Sequence, residues 1–365
     1  MTIRKRFMAV SMAVFSCIGL ETAEAGKIVL LAGGGEAEPP CKATDVKLKE
    51  PFYAEPDAQG RLVIAEMAGG QRILRIDESG QLIRIAGTGR QGKPATGPQP
   101  ALEASFDGVH NHAIDQKSGD IYFADTWNAV VRKFDSGSGQ VLTIAGTGEK
   151  GYSGDDGLAK DAKFGGVYCV ALSPDGSRLH LADLHNYVIR TIDLKSGIVR
   201  RTAGNGKKGK PGEGGRANQE PLIDPRAVAE DRAGNVYVLE RGGNALRVVR
   251  PDGTIRTVVN DSGKKGQGGL GGPAAGCEMN GPKHIVIGRN GSVLIADAEN
   301  HRILRYRPDA ADVILVAGTG IAGKDGSGGP PEKAGLNRPH GIFETSDGTI
   351  FLTDSYNDRV LKIIP

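Results

Sequence analysis

The sequence has few aromatic residues and almost no net charge. Of its 365 residues 5% are aromatic, and Trp127 is the one tryptophan. The 46 lysines and arginines nearly balance the 43 aspartates and glutamates, which leaves a formal charge of +3. A charge this small gives no electrostatic drive towards nucleic acid or an anionic membrane. We therefore expect neither kind of partner.

The sequence also lacks an apolar run long enough to span a bilayer comfortably. Its one apolar stretch, residues 7–20, follows the basic residues 4–6 and precedes the small-x-small pattern of residues 23–25. This order of basic, apolar and small residues is typical of a secretory signal peptide. We predict a signal peptide over residues 1–25, cleaved near Ala25, and a single mature domain over residues 26–365. That domain is expected to be secreted or periplasmic, with no membrane span.

Cysteine is too scarce to suggest a disulfide framework or a structural zinc site. Cys41, Cys169 and Cys277 are the cysteines of the mature chain, and none of them belongs to a Cys-x-x-Cys pair. A chain of this length can bury a large apolar core without disulfides. One bond between Cys41 and Cys277 stays open as an alternative. A lipoprotein anchor at Cys17 is a poorer interpretation, because residues 14–16 match a lipobox badly.

Glycine, in contrast, is abundant, and the chain repeats itself. The 55 glycines follow no collagen period, so they predict many tight turns between short elements. Short apolar stretches each end in an acid, at intervals of 57 to 59 residues. A basic residue follows each acid, at intervals of 57 or 58 residues. The acids are Glu66, Asp125, Asp183, Glu240, Asp297 and Asp354, and the basic residues are Arg75, Arg132, Arg190, Arg247, Arg305 and Lys362.

Each repeat predicts four antiparallel strands separated by Gly and Asn turns. Six such repeats describe an all-β, six-bladed β-propeller. The sixth repeat provides three strands before Pro365, whereas residues 27–35 match the fourth-strand phrases at residues 142–148 and 313–320. We therefore predict that the N-terminal strand completes the last blade and closes the ring, which removes an exposed sheet edge.

Three phrases carry a resemblance to a known family: residues 145–166, residues 125–134 and residues 337–342. They resemble the repeats of the NHL family, in the form found in extracytoplasmic bacterial proteins. The resemblance covers nearly all of residues 27–365 and implies a six-bladed propeller. It does not imply an activity, because propellers serve in binding, scaffolding and catalysis alike.

Features shared by every repeat are most simply scaffold. We expect the six acids to accept backbone N–H groups in the next turn and to face a neighbouring cation. We expect the basic series to pack its stems on a sheet and to keep its charged heads in solvent. The linkers of about twenty residues after each fourth strand are expected at the same end of the propeller as the acids, which we call the top face.

Positions that differ between repeats can hold an asymmetric ligand. One such position is the start of each innermost strand, at the top face. His112 and His284 lie one or two residues from it. Aromatic, imidazole and cationic side chains there suit a binding site, although polar residues are also expected in any water-filled channel. The six residues are Phe52, His110, Tyr168, Arg226, Lys283 and His340. A second variable series includes Trp127, His185, Glu299 and Tyr356, whose aromatic members suit recognition of a sugar or peptide.

The leading functional hypothesis is a monomeric binding or scaffolding module that recognises a protein, peptide or small molecule at the top face. The sequence has no nucleophile elbow, no His-Glu-x-x-His and no redox cysteine pair. The expected ligand-binding residues are Phe52, Trp127, His185, Lys283 and Tyr356.

An enzyme is the alternative hypothesis. The chain is distantly similar to peptidyl-α-hydroxyglycine α-amidating lyase, a six-bladed relative with histidines around a central metal. The similarity implies zinc or calcium held by His110, His340 and either His284 or His112. Tyr168 would then act as the base, and Arg226 would hold a carboxylate. Arg226 stands where the symmetry of the blades favours a histidine. A lactonase or sugar hydrolase is a weaker option.

Overall fold

A computed structural model describes residues 26–365 of the chain. The predicted signal peptide lies outside these described residues. Within them, no helix has the length and apolar character needed to cross a membrane. The described residues form six antiparallel sheets, so the predicted all-β, six-bladed fold is confirmed.

The strands are short, and their ends coincide with Gly, Asp and Asn turns. In chain order they are β1 (Ile28–Gly33), β2 (Cys41–Lys42), β3 (Pro51–Pro56), β4 (Leu62–Glu66), β5 (Arg72–Ile76), β6 (Gln81–Ala86), β7 (Gln99–Pro100), β8 (Val109–Ile114), β9 (Ile121–Asp125), β10 (Val130–Asp135), β11 (Gln140–Ala145), β12 (Val167–Leu172), β13 (Arg178–Asp183), β14 (Val188–Asp193), β15 (Val199–Ala203), β16 (Pro225–Glu230), β17 (Val236–Glu240), β18 (Ala245–Val249), β19 (Ile255–Val259), β20 (His284–Ile287), β21 (Val293–Asp297), β22 (Arg302–Arg307), β23 (Asp312–Ala317), β24 (Gly341–Glu344), β25 (Ile350–Asp354) and β26 (Arg359–Ile363).

Three-residue 3₁₀ helices occupy turns and linkers between these strands. They are Ala43–Asp45, Ala101–Glu103, Thr126–Asn128, Ala159–Asp161, Leu184–Asn186, Ala274–Gly276, Arg289–Gly291, Ala298–Asn300, Pro331–Lys333 and Ser355–Asn357.

Each sheet forms one blade, with its first long strand innermost. Blade one has the strand order β2-β6-β5-β4-β3, and blade two has β7-β11-β10-β9-β8. Blades three, four and five are β12 to β15, β16 to β19 and β20 to β23, each in sequence order. Blade six has the order β1-β26-β25-β24. The short outermost strands β2 and β7 were not predicted, because two residues of a linker carry no strand pattern of their own.

The apolar core lies between neighbouring blades. Val63 and Ile73 of blade one pack in the same buried cluster as Val109 and Phe123 of blade two. Because side chains alternate across a strand, each blade presents apolar residues to both neighbours. Burial of these facing surfaces stabilises the ring.

The innermost strands contact one another in a closed cycle: β3 contacts β8, followed by β12, β16, β20 and β24, and β24 contacts β3 again. Blade six contains strands from both ends of the described chain. In its outer pair Ile28 lies opposite Ile363, and Leu30 lies opposite Leu361. The last blade therefore depends on a pairing between residues more than 300 positions apart in sequence.

The long linkers do not stay at the top face. In the linker before β12, Leu158 forms a bridge with Ile198 at the far turn of blade three. The Ala159 amide donates to Gly197 O at 2.8 Å, and Ala159 O accepts from the Gly146 amide at 2.9 Å. This linker therefore runs along the outer edge of the next blade before it returns. The expectation that the linkers gather at the top is wrong for their middle portions, because backbone groups there satisfy an exposed sheet edge.

The repeated acids belong to the scaffold and most of them face a cation, as the sequence predicts, but the expectation that they accept backbone N–H groups of the next turn is wrong. The backbone N–H groups that they accept belong to the preceding linker, for example those of Asp107, Ile223 and Asn337. Asp297, for example, is fully buried and accepts the Asn280 amide at 2.8 Å, the Asn300 side chain at 2.8 Å and Arg302 Nε at 2.8 Å.

The four repeated aspartates each connect a linker amide with the asparagine of the turn that follows the strand. Glu66 and Glu240 connect a linker amide with an arginine of the third strand instead. Burial nevertheless raises the pKa of the equivalent acids Asp125 and Asp183 to about 6.

The expectation that the basic series has solvated heads is wrong for three members. Arg132, Arg190 and Arg247 are 0%, 0% and 1% exposed. Arg247 donates to Glu240 at 2.7 Å. Arg190 forms an ion pair with Asp155 at 2.7 Å and donates to the carbonyl of Lys163 at 3.0 Å. In the remaining blades the cation that pairs with the acid comes from the first position of the third strand instead, as Arg72, Arg302 and Arg359.

All three cysteines of the described chain are free thiols, so the alternative of a bond between Cys41 and Cys277 is wrong for this structure. Cys169 and Cys277 are buried, while Cys41 is half-buried. Burial raises the pKa of the Cys169 and Cys277 thiols to about 11.

Candidate functional site

The six variable positions lie at the start of the six innermost strands. In blades one, three and four the ladder shifts by one residue there, so that Phe52, Tyr168 and Arg226 each occupy a β-bulge. In blade two the corresponding irregularity spans His110 and Asn111. A bulge adds a residue to one strand and redirects its side chain. We call the six side chains, Phe52, His110, Tyr168, Arg226, Lys283 and His340, the mouth.

Ring contacts connect most of the mouth. Phe52 stacks on His340 with 4.0 Å between ring centroids, and it meets the His110 ring edge-on at 5.4 Å. His110 and Tyr168 lie 4.6 Å apart. The Arg226 guanidinium lies over the Tyr168 ring at 4.7 Å. The structure therefore brings together the residues that the repeat spacing placed at one end of the channel.

The cationic side of the mouth is desolvated. Arg226 is 6% exposed and donates to Tyr168 O at 3.1 Å, but it forms no ion pair with any carboxylate of residues 26–365. Burial lowers the pKa of Arg226 to about 10. Lys283 lies 3.1 Å from Glu299, yet burial and the nearby Arg226 charge lower its pKa to about 8.

The two mouth histidines are neutral at physiological pH. Burial, together with the charges of Arg226 and Lys283, holds the pKa of His110 and of His340 well below its usual range. Their Nδ1 atoms lie 3.0 Å from Gly108 O and 2.8 Å from Arg338 O. A carbonyl only accepts, so Nδ1 carries the proton in both rings and Nε2 keeps a free lone pair.

The second variable series surrounds the mouth. The Trp127 ring lies 6.1 Å from His110 and is 37% exposed. The Tyr168 hydroxyl lies 3.4 Å from His185 Nε2, and the Tyr356 ring lies 5.9 Å from that of His340. Exposed aromatic rings thus border one side of a partly cationic channel entrance.

Sequence reasoning missed Arg338 as part of this surface. Its guanidinium lies over the Tyr356 ring at 4.4 Å and donates to Glu299 at 2.5 Å. Arg338 has a left-handed backbone, with φ of 48°. The sequence did offer one signal for including Arg338 in this surface, namely its position two residues before His340. Glu299 therefore pairs with two cations, Lys283 and Arg338.

The proposed histidine ligands do not form one group. His110 and His340 both contact Phe52, whereas His284 lies deeper in the channel, 4.6 Å from the Tyr53 ring. Within residues 26–365 no cluster of three or more His, Cys, Asp or Glu side chains is arranged to hold a metal ion. A zinc or calcium site remains a prediction from the sequence resemblance.

The chain has relatives among characterised sequences. It is 25% identical over 336 residues to NHL repeat-containing protein 2 of Gallus gallus, covering 83% of this chain and 44% of that protein. It is 25% identical over 271 residues to protein SUPPRESSOR OF QUENCHING 1 of Arabidopsis thaliana, covering 72% of this chain and 25% of that protein. The chain therefore spans less than half the length of these relatives. No protein-family model matches it.

Solved structures share the fold at low sequence identity. A Bacteroides thetaiotaomicron protein of unknown function has a TM-score of 0.68 at 15% identity, covering 92% of this chain and 74% of that one. An auxiliary nutrient binding protein of the same species has a TM-score of 0.65 at 13% identity, covering 92% and 75%. A streptogramin B lyase has a TM-score of 0.52 at 15% identity, covering 87% and 94%.

These similarities and the six sheets define the class of protein. The chain is a six-bladed β-propeller of antiparallel blades. It is a homologue of NHL repeat-containing proteins, as its repeat phrases imply.

Proposed function

We propose that this propeller is a secreted or periplasmic binding module, and that its mouth takes a small organic anion with a carboxylate group. The observation that carries the proposal is Arg226, a buried guanidinium without a carboxylate partner in the described chain. A buried charge is costly unless it is paired. A ligand carboxylate would supply the pair.

The other mouth residues suit the same ligand class. Lys283 adds a second desolvated cation to that of Arg226, since it is 5% exposed. Phe52 and Tyr168 provide an aromatic wall beside the cations. An anion with an apolar or aromatic body can therefore place its charge at Arg226 and its body against the rings.

The comparisons support a binding role only at the level of fold. One structural relative is an auxiliary nutrient binding protein, and its low identity carries no residue of its site to this chain. The secreted or periplasmic location rests on the signal-peptide pattern of residues 1–25. The monomeric state of the module and its recognition of a protein or peptide are likewise proposals.

Calorimetry with a carboxylate probe tests the proposal. We expect saturable binding of phenylacetate by the purified protein and much weaker binding of phenylacetamide, which has the same ring without the charge. Arg226→Met should weaken phenylacetate binding by about tenfold or more, because it removes the charge-assisted hydrogen bonds. Arg256→Met is the matched control, since Arg256 is exposed on β19, far from the mouth. Equal binding of acid and amide, or unchanged affinity in Arg226→Met, would contradict the proposal.

The lyase-like enzyme is the second candidate. It is favoured by the free Nε2 lone pairs that the bound Nδ1 atoms leave on His110 and His340. Elemental analysis of the purified protein tests it. Stoichiometric zinc or calcium, lost in His110→Ala and His340→Ala, would support a metal-dependent enzyme, and metal-free protein would favour the binding module.

A further inference from the structure

The channel contains a second compartment below the mouth. It is a cavity of about 160 Å³, which we call the lower chamber. Its polar lining comes from Tyr53, Glu55, His112, His284 and Glu230. Its apolar lining comes from the innermost strands of blades two to six, and includes Ile114, Val170, Val228, Ile285 and Phe343.

Two histidines in the chamber have unpaired ring nitrogens. His112 is 1% exposed, and neither Nδ1 nor Nε2 has a hydrogen-bond partner among the described protein atoms. His284 is 7% exposed, and its Nδ1 is also unpaired. Buried polar atoms are nearly always hydrogen-bonded in folded proteins. Three unpaired nitrogens around one cavity therefore point to an occupant that bonds to them.

The chamber is electrically neutral near pH 7, unlike the mouth. Burial lowers the pKa of His112 and of His284 to about 3, so both rings are uncharged. Burial raises the pKa of Glu55 to about 8, so this carboxyl carries its proton. Glu230 is the remaining acid, and it lies 2.6 Å from the Arg178 guanidinium and 2.6 Å from His180 Nε2.

The chamber adjoins a second cavity on the side of the opposite face of the propeller. That cavity has a volume of about 680 Å³ and lies among the bottom turns of blades three to six. Glu230 and Ile287 line both cavities. The chamber is therefore next to a bottom-face cavity, and neither Arg226 nor Phe52 is among its lining residues.

We propose that the lower chamber is a second binding site, distinct from the mouth, for a small uncharged ring compound that both donates and accepts hydrogen bonds. The neutral lining disfavours an ion, since a desolvated charge would find no counter-charge beside it. The apolar walls favour a ring over a chain of ordered waters. The unpaired imidazole nitrogens provide the polar contacts, and a cavity near 150 Å³ accommodates a six-membered ring.

Phenol is the probe for this site, with benzene as its apolar counterpart. We expect saturable calorimetric binding of phenol by the purified protein, at least tenfold tighter than benzene, because a site built for hydrogen bonds rejects a ligand that lacks them. His112→Phe keeps a ring of similar size and removes both nitrogens. It should weaken phenol binding at least tenfold and leave benzene binding unchanged.

Two further variants separate this site from the mouth and from general damage. Tyr53→Phe removes only a hydroxyl from the chamber and should weaken phenol binding, whereas Tyr237→Phe, in the core of blade four, should not. Arg226→Met should leave phenol binding unchanged, so a failure of the anion site and a failure of this site are distinguishable.

Four outcomes would overturn the proposal: no saturable binding of phenol, equal binding of phenol and benzene, phenol affinity unaffected by His112→Phe, or loss of phenol binding in Arg226→Met. The first outcome would mean that the chamber holds water alone. A loss of phenol binding in Arg226→Met would place the probe at the mouth and would equally refute a second site.

Discussion

At the scale of single residues, the propeller uses the same side-chain types for two purposes. Arg247 is buried beside Glu240 at 2.7 Å and belongs to the scaffold. Arg226 is buried almost as deeply and has no carboxylate partner among residues 26–365. The spacing of the repeats separates these roles, because one arginine recurs at its position in other blades and the other does not. A buried cation such as Arg226, which has no carboxylate partner among the described residues and whose position is not repeated in the other blades, is therefore the residue that carries information about function.

The sequence predicted the mouth positions correctly but did not predict which arginines are buried. Strand spacing is enough to align Phe52, His110 and His340 at one end of the channel. The burial of Arg190 depends on Asp155 and on carbonyls of a linker whose path has no periodic pattern. The sequence pattern therefore does not determine the contacts that irregular segments, such as the linkers, make with the strands. The depth of His284, in contrast, follows from the repeat, because His284 lies one residue further along its strand than Lys283 and corresponds to Gly341.

Lys283 makes anion binding at the mouth pH-dependent. The lysine has a pKa of about 8 in the folded protein, so it is protonated at pH 7 and loses its charge as the pH rises through 8. We expect the affinity for phenylacetate to be constant from pH 6 to 7 and to fall by about tenfold by pH 9.5, while Arg226 still carries most of its charge. Calorimetry across this pH range measures the effect.

Lys283→Gln provides the control for that pH profile. It should bind phenylacetate weakly and with no change between pH 7 and 9.5. The stability of the free protein should show the opposite trend. The pKa of Lys283 is lowered on folding, so the unfolded chain binds the proton more tightly and this group favours folding more as the pH rises past 8. If the affinity of Lys283→Gln for phenylacetate still falls as the pH rises, a group other than Lys283 is responsible for the titration.

At the scale of elements, a glycine ends most of the fourth strands for a steric reason. Gly146 has a φ of 92°, and a Cβ there would lie 2.5 Å from Ala129 O. Gly204 and Gly318 have the same left-handed backbone and the same close approach to the carbonyl of the residue before the third strand. In blade four Asn260 takes this place, with a φ of 55°. Asparagine tolerates the left-handed region better than other residues with a side chain.

Gly146→Ala should therefore be strongly destabilising. The left-handed backbone costs an alanine about 1–2 kcal/mol, and the clash with Ala129 O adds to this cost. Gly139→Ala is the matched control, because Gly139 has a φ of 68° and no atom within 4 Å of the added Cβ. Chemical denaturation should show a clearly larger loss of unfolding free energy for Gly146→Ala. Equal losses for the two variants would show that the close approach is unimportant.

The long strands were predictable from local sequence, whereas the short strands at the outer edges of two sheets were not. The alternation of apolar residues and the Gly turns predict strands such as β17 and β18 directly. The short outer strands β2 and β7 exist because linker backbone pairs with β6 and β11. That pairing satisfies an open sheet edge and needs no particular side chains, so it has no signature in the sequence.

At the scale of the whole molecule, the two channel compartments depend on a closed ring. The mouth takes one residue from each of the six blades, and the lower chamber takes residues from the innermost strands of all six. A relative movement of two blades would separate Phe52 from His340, whose rings are 4.0 Å apart across the junction of blades one and six. Blade six is also the blade in which the pairing of β1 with β26, at its outer edge, holds the two ends of the described chain together.

Removal of β1 tests how much the ring depends on that pairing. Deletion of residues 27–35 removes the five paired positions of β1 and the buried side chains of Ile28 and Ala32, and it exposes the edge of β26. We expect the melting temperature to fall by about 5 °C or more, since an unfolding entropy of about 2.1 cal/mol/K per residue gives about 1–2 °C for each kcal/mol lost in a domain of this length. We also expect phenylacetate binding to weaken, because blade six carries His340 into the mouth.

A synthetic peptide of residues 27–35 is the control for this deletion. Added in excess, it can occupy the open edge of β26 as a separate strand and should raise the melting temperature in proportion to the logarithm of its concentration. A peptide with Pro in place of Val29 should fail, because the imide cannot donate to the ladder opposite Lys362. The backbone of Val29 faces β26, since that of the preceding Ile28 bonds outward to Gly328 and Gly329. An unchanged melting curve in the deleted protein would show that the other strands of blade six hold the ring closed without β1.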